Sequence, residues 1–394
     1  MNDFFVAEEY QTRLTRARAA MQQRGLDALL LTAPTNVEYF SGHRPLVGWD
    51  TLTRSSFCLV PAAGDPILIV HDVWLGGAVA DSAWHDVRAF PETTRPPLAT
   101  LADCFQDRQL LTARVGLELG YEQRLGLSFH DLQALQARLP QVSWLDAAPA
   151  IWDVRMIKSA AEIDKIRRAC AITDAAFDMV FQSLAPGMTE AELASRLQAG
   201  IATQGAEFGF MAPCMVPAGY MTMSRVPSRH PLVPGELIFC DLGAIYHGYW
   251  SDYGRAAVIG KASDRQRRMW EDVHAVTQAG LAEVRPGHSM SAVVAACNRT
   301  AQRVGLAMNF ASGRIGHGLG MQLTEPPHVA GHETELLRPG MVITLEPGIV
   351  SPQGVYIVEQ DIAVTETGAE QLSTGRWEIW EVSSPRGSND PHNR

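Results

Sequence analysis

Apolar positions in the first 150 residues alternate between helical and strand periods. Glu8–Arg24 spaces its apolar side chains as an amphipathic helix does, and the run Ala28-Leu29-Leu30-Leu31-Thr32 has the length and continuity of a buried strand. Phe57-Cys58-Leu59-Val60 and Pro66-Ile67-Leu68-Ile69-Val70 flank Ala63-Gly64-Asp65 and predict a hairpin; Val115-Gly116-Leu117-Glu118 predicts a further strand and Ser128–Leu139 a helix. Such mixing predicts an α/β unit with a mixed or parallel sheet. After Asp153-Val154-Arg155 the period changes to that of a long amphipathic helix, Ala160–Leu184. The domain boundary is therefore placed between residues 153 and 154, giving domains 1–153 and 154–394.

The second domain repeats itself. Pro186-Gly187 precedes a helix that ends near Gly205, with Thr189 and Glu192 spaced as a capping box, and Pro286-Gly287 precedes another that ends near Gly305. Pro to Gly spans 19 residues in both. Next, Val233-Pro234-Gly235-Glu236-Leu237-Ile238-Phe239-Cys240-Asp241 matches Arg338-Pro339-Gly340-Met341-Val342-Ile343-Thr344-Leu345-Glu346, a Pro-Gly turn feeding an apolar strand that ends in a carboxylate. Each half then supplies a second acid, Asp252 and Glu359, after a Gly-containing turn and another strand. Two like halves would bring four carboxylates to one place.

Composition narrows the partners. At 394 residues the chain exceeds the roughly 250 to 300 at which single cores stop growing, which supports two domains. With 43 acidic against 33 basic residues, and no run of five or more Lys/Arg, it offers no field for nucleic acid. About 18 uninterrupted apolar residues, as a membrane span needs, occur nowhere, and Met1–Phe5 has no basic leader, so a cytoplasmic protein without a membrane partner is expected. The six cysteines, Cys58, Cys104, Cys170, Cys214, Cys240 and Cys297, form no CxxC pair and read as reduced core thiols.

A single acid on a buried strand is ordinarily a hydrogen-bonded core group. Four together, in a low-dielectric interior, cost several kcal/mol per unpaired ion and persist only with a cation, shared protons or arginines. Divalent metal answers this most simply. Gly316-His317-Gly318-Leu319-Gly320 adds one imidazole, expected to project from a tight turn. Asp241, Asp252, His317, Glu346 and Glu359 would then hold two carboxylate-bridged metals that activate water. Oxygen-rich ligation suits manganese, iron, cobalt or zinc better than copper.

The Asp241-x10-Asp252, Gly316-His317-Gly318-x-Gly320, Leu345-Glu346-Pro347-Gly348 and Val358-Glu359 order resembles the creatinase/prolidase/methionine aminopeptidase family. Arg155-Met156-Ile157-Lys158-Ser159 with Glu162-Ile163 resembles the opening of that family's catalytic domain. The resemblance implies a pseudo-twofold pita-bread domain behind a creatinase/prolidase-like α/β domain, two divalent metals with manganese foremost, a short-peptide or small-molecule substrate, and a homodimer. It also implies hydrolysis of the Xaa-Pro peptidase type, with Glu346 both ligand and base.

Three positions depart from the peptidase pattern: Ser224 and Thr324 stand where the family has histidines, and Ile357 where it has arginine. The metal set is matched while the proton-handling shell is rebuilt, since Thr cannot shuttle a proton at neutral pH. Arg225, His328 and His332 are the candidates for the lost catalytic roles, with Tyr220, Arg229 and His230 behind them; Arg225 could grip a substrate carboxylate bidentately. Tyr253, Trp49 and Trp74 are read as packing residues, with the site of a neighbouring subunit as the other position open to the two tryptophans. The alternative reading is a hydrolase or lyase of a small zwitterionic metabolite of creatine, ectoine or sulfoniopropionate type. A catalytically silent binding protein would have lost ligands, and all five are matched in type.

Overall fold

The computed structural model describes residues 5–44, 54–211, 227–308, 313–351 and 354–383. The chain divides into two units, Met1–Arg155 and Met156–Arg394.

The first unit runs α1 (Ala7–Arg24), β1 (Ala28–Leu31), α2 (Pro34–Ser41), β2 (Phe57–Pro61), β3 (Ile67–His71), α3 (Leu75–Asp81), β4 (Asp86–Phe90), α4 (Leu98–Asp107), β5 (Arg114–Leu117), α5 (Phe129–Arg138), β6 (Ser143–Asp146) and α6 (Ala148–Arg155). Its sheet has the order β4-β3-β2-β1-β5-β6. The predicted hairpin forms as the antiparallel pair β2–β3, β1 pairs β2 antiparallel, and β1–β5, β5–β6 and β3–β4 are parallel, so the sheet is mixed. All residues of β1, β2 and β3 are buried, the signature of a sheet covered on both faces. Leu30, Leu59, Ile69, Phe105, Val115 and Leu135 pack into one core.

A buried carboxylate organises the start of α2. Its N-cap, Ala33, has no capping side chain. Glu118, just past β5, supplies the acceptor instead, taking the backbone N–H of Thr32 and Ala33, the Thr32 hydroxyl and Asn36 Nδ2 at 2.6 to 3.0 Å. Glu118→Gln puts an amide N–H₂ against these donors and leaves some unsatisfied in the interior, so a loss of about 2 to 3 kcal/mol in urea unfolding of the first unit is expected. An unchanged midpoint would show that the donors find other partners.

The second unit runs α7 (Ala160–Phe181), α8 (Glu190–Thr203), β7 (Phe208–Met211), β8 (Leu237–Tyr246), β9 (Tyr249–Trp250), β10 (Tyr253–Ile259), α9 (Asp264–Leu281), α10 (Met290–Val304), β11 (Arg314–Gly318), β12 (Glu325–Ala330), β13 (Val342–Leu345), β14 (Gly348–Ser351), β15 (Gly354–Ile357), β16 (Gln360–Val364), β17 (Ala369–Gln371) and β18 (Trp380–Val382). One sheet has the order β18-β10-β8-β7, with β9 folded back on β8; the other is β12-β11-β13-β16-β17.

The sequence repeat is a structural one. Both long helices open with capping boxes, Ser159/Glu162 on α7 and Ser263/Gln266 on α9, and both shorter helices have hydroxyl N-caps, Thr189 and Ser289. Backbone hydrogen bonds recur in register: Gly187 N–H to Leu232 O and Gly287 N–H to Leu337 O, then Gly235 N–H to Ile259 O and Gly340 N–H to Val364 O. Hairpin β8/β10 corresponds to β13/β16, and β7 and β11 flank the same side of each. This is the pseudo-twofold pita-bread arrangement that the resemblance implied.

One strand end differs from expectation. β13 stops at Leu345, before Glu346 and the N–H-less Pro347, but β8 continues five residues past Asp241 to Tyr246. The extension is stabilised from both sides, by β7 (Leu242 opposite Met211) and by β9, which returns through a turn with His247 and Gly248 at positive φ. Asp241 therefore sits inside a strand and not at its end.

Candidate metal centre

Each half contributes acids from equivalent places. Asp241 lies on β8 opposite Gly254 of β10, and Glu346 directly follows β13, its N–H bonded to Ile315 O at 2.9 Å. Asp252 lies between β9 and β10 and Glu359 between β15 and β16, each at the mouth of its hairpin. The twofold relation turns these mouths toward one another. Ligand atoms of Asp252, His317 and Glu359, all buried, lie within 4.8 Å of one another. His317 Nε2 is 3.4 Å from Asp252 Oδ2 and 3.9 Å from Glu346 Oε1.

The electrostatics of the cluster favour a cation. Burial raises the carboxyls of Asp252 and Glu346 to about 7. Burial, and then repulsion from Asp252, pushes Asp241 and Glu359 well above the usual carboxylate range. Burial lowers His317 and keeps its imidazole neutral. Asp241 Oδ1 and Asp252 Oδ1 are buried without a hydrogen-bond partner. Buried lone pairs of this kind, on carboxyls crowded together, could serve a divalent metal as an oxygen-rich donor set.

The histidine arrives by a route that the sequence reading did not anticipate. It is on a strand, β11, where the register against β12 shifts: Arg314 faces Ala330 and His317 faces His328, so three steps on β11 oppose two on β12. This bulge is built on Gly316, at φ 155°, where a Cβ would lie 2.1 Å from Thr344 O. His317 Nδ1 lies 3.0 Å from Gly318 O and donates to it, leaving the Nε2 lone pair facing the acids. Thr344 Oγ1 accepts the His317 N–H at 3.2 Å.

Asp361 supports the acids from behind. Two residues past Glu359 and fully buried, it accepts the Asp252 backbone N–H at 2.9 Å and the Cys170 thiol at 3.3 Å. Burial and then Asp252 raise its carboxyl too.

The candidates for the catalytic shell separate. His328 is half-buried on β12 as the cross-strand partner of His317, and its Nδ1 lies 2.7 Å from Arg314 NH1. Arginine only donates, so Nδ1 is the acceptor and the proton of His328 sits on Nε2. Arg314 also acts electrostatically on Asp252, His317 and Glu346, holding down the acids and disfavouring the imidazolium. The sequence reading missed it: three residues from His317 on a regular strand would face away, and only the bulge restores the common face. His332 is exposed in the turn after β12, and no contact among the described residues joins it to the acids. Arg229 is exposed, and His230 Nε2 faces Glu236 Oε2 at 4.0 Å. Thr324 is half-buried in the turn before β12, and Trp74 is half-buried between β3 and α3. Tyr253 is buried, its hydroxyl 2.7 Å from Cys170 O and 2.8 Å from Asp174 Oδ1, a packing position as expected. Arg225, Ser224, Tyr220 and Trp49 lie outside the described residues. The five described cysteines are buried, and no described helix is long and apolar enough to cross a membrane.

Both units of the chain also resemble known proteins. The model of the Creatinase/Prolidase N-terminal domain matches residues 13–157, and that of Metallopeptidase family M24 matches residues 164–366. The chain is 28% identical over 368 residues to the uncharacterized peptidase YqhT of Bacillus subtilis (92% of this chain, 97% of the relative). It is 25% identical over 370 residues to an Xaa-Pro dipeptidase of Pyrococcus furiosus (93% and 99%). Among solved structures, dipeptidase PepE from Mycobacterium ulcerans superposes with a TM-score of 0.81 at 28% identity, covering 96% of this chain and 99% of that one. The prolidase from Pyrococcus horikoshii OT3 superposes with 0.78 at 25% (93% and 99%). With the catalytic-domain match spanning more than half of its residues, the chain belongs to Metallopeptidase family M24, the metal-dependent hydrolases, and carries a creatinase/prolidase N-terminal domain ahead of the catalytic one.

Proposed function

We propose that the protein is a dinuclear metallohydrolase of the Xaa-Pro peptidase type acting on short peptides, with Asp241, Asp252, His317, Glu346 and Glu359 as the ligands. The observation that carries this is the convergence of Asp252, His317 and Glu359 within 4.8 Å beside the unpartnered Oδ1 atoms of Asp241 and Asp252. Manganese suits a set of four carboxylates and one imidazole. The similarity to Xaa-Pro dipeptidases over nearly the whole chain supports a short-peptide substrate.

Divalent metal bound there supplies Lewis acidity toward a substrate carbonyl and acidifies water. The remaining work falls to the chain's own residues. Glu346 keeps 22% of its side chain accessible, against 6% for Asp252 and His317, so it can meet solvent and substrate where those two are covered. With its proton affinity raised by burial, Glu346 takes a proton from the attacking water and returns it to the leaving amine. His317, held by Gly318 O, stays neutral and fixed. His328, kept by Arg314 in the tautomer that bears its proton on Nε2, offers a donor on the same face of the sheet as His317. It is thereby the imidazole that stands in for those missing at Ser224 and Thr324.

Elemental analysis of the purified protein, paired with a panel of dipeptides with and without proline before and after adding manganese, tests this. Two metals per chain with manganese-stimulated turnover of Xaa-Pro dipeptides is the expected result. Metal with turnover confined to betaine-like, guanidino or sulfonium compounds would transfer the assignment to the zwitterionic-metabolite reading.

A further inference from the structure

The motif that opens the catalytic domain, Lys158-Ser159 with Glu162, takes no part in the chemistry above, yet it is tied to the loops that deliver the ligands. Lys158 Nζ lies 3.1 Å from Glu325 Oε2, with the side chains 2% and 1% exposed. A pair buried this deeply pays desolvation at both ends, and a registry role is the best attested return. Glu325 closes the turn between β11 and β12: its Oε1 accepts the Gln322 N–H at 3.0 Å. At Gly320 a Cβ would lie 2.7 Å from Glu325 Oε2 and 2.9 Å from Lys158 Cε, so the pair is packed directly against the backbone that follows His317.

From this turn the connections run to the other ligands. Gly320 O accepts the Trp250 N–H at 2.9 Å, two residues before Asp252, and Leu319 N–H bonds to Val342 O at 3.0 Å, on the strand that leads to Glu346. Lys158 itself donates its backbone N–H to Gly340 O at 2.8 Å, in the turn that begins that strand. Glu162, which caps α7 by accepting the Ser159 N–H, also accepts the Tyr249 hydroxyl at 2.7 Å on β9. One short segment thus anchors the turn after His317, the strand to Glu346 and the hairpin arm to Asp252.

We propose that Lys158 and Glu325 are positioning residues for the metal centre: their buried ion pair fixes the Gly320–Glu325 turn and thereby sets where His317 stands against Asp252 and Glu346. The inference rests on the metal-centre reading above.

The test is manganese affinity of the full-length protein, measured by competition with a chelator, together with melting of the metal-free form. E325Q, which keeps the side-chain shape and an acceptor for Gln322, and K158M should each bind manganese about 10- to 100-fold more weakly than wild type, the range for lost supporting contacts around metal ligands. K158M/E325L removes both charges and leaves no unpaired ion; it should melt close to the metal-free wild type while keeping the weakened affinity. Should K158M fail to fold, E325Q and the double variant carry the test. Wild-type affinity in E325Q, or full recovery of affinity in K158M/E325L, would overturn the inference alone. A wild-type chain that binds no manganese would overturn the metal centre and this inference with it.

Discussion

Asp252→Ala is expected to abolish metal binding and turnover together, with activity falling at least about 10³-fold and manganese content falling to background. Asp252 is the carboxylate nearest His317, and it has a lone pair with no partner in the protein, so no neighbour can take over its ligand role. A second signature separates this from general damage. The Asp252 side chain crowds Asp241 and Glu359, raising both. Asp252→Asn, which keeps the volume and removes the charge, should make the metal-free protein melt higher than metal-free wild type at pH 8. On the proposed reading the ligand would be a destabilising residue in the metal-free protein, a trade of stability for function. A variant that is active without metal, or an Asn variant that melts lower, would contradict the assignment.

Removing metal from the wild type should produce a protein whose stability falls as pH rises. The sign follows from the direction of the shifts. Asp252 and Glu346 titrate near 7 in the fold, against about 4 in an unfolded chain. A folded-state value above the unfolded one contributes stability that is complete below about pH 4 and is lost as pH climbs through 7. Bound metal reverses the dependence, because its ligands must lose protons and binding releases them, so affinity grows with pH. The gap in melting temperature between manganese-loaded and chelator-treated protein should therefore widen from pH 5 to pH 8 by on the order of 10 °C in the transition of the catalytic unit. A gap independent of pH would mean that these acids do not face the metal.

Much of the fold could be read from local chemistry. The helix α8 begins one residue past the predicted cap, and α10 ends at Gly305 in the left-handed conformation, because hydroxyl caps and C-terminal glycines act within a single turn. Equal Pro-Gly spacing revealed the repeat, since Gly187, Gly235, Gly287 and Gly340 all need positive φ and make matching turns. Less legible were β4, whose first four residues are not buried and carry no strong alternation, and α9, whose polar stretch Asp264–Arg268 hides an apolar stripe of Trp270, Val273 and Val276. The Ser263/Gln266 box at its start was available as a signal.

The site divides in the same way. Asp361 stands two residues past Glu359, near the start of the strand that follows it, so its supporting role was within reach of the sequence. Arg314 was not, because an odd offset from His317 predicts the opposite face and only the bulge at Gly316 cancels it.

By itself, then, the sequence determined the order of the proposed ligands and their placement at equivalent points of two repeated halves, because caps, turns and strand alternation depend on neighbours a few residues apart. Only the tertiary structure decided which side chains surround those ligands. It brings Arg314 to His328 and to the acids, and Lys158 to Glu325 across 167 residues. Such pairings are set by strand register and the packing of one half against the other, and these long-range relations leave no periodicity along a single chain.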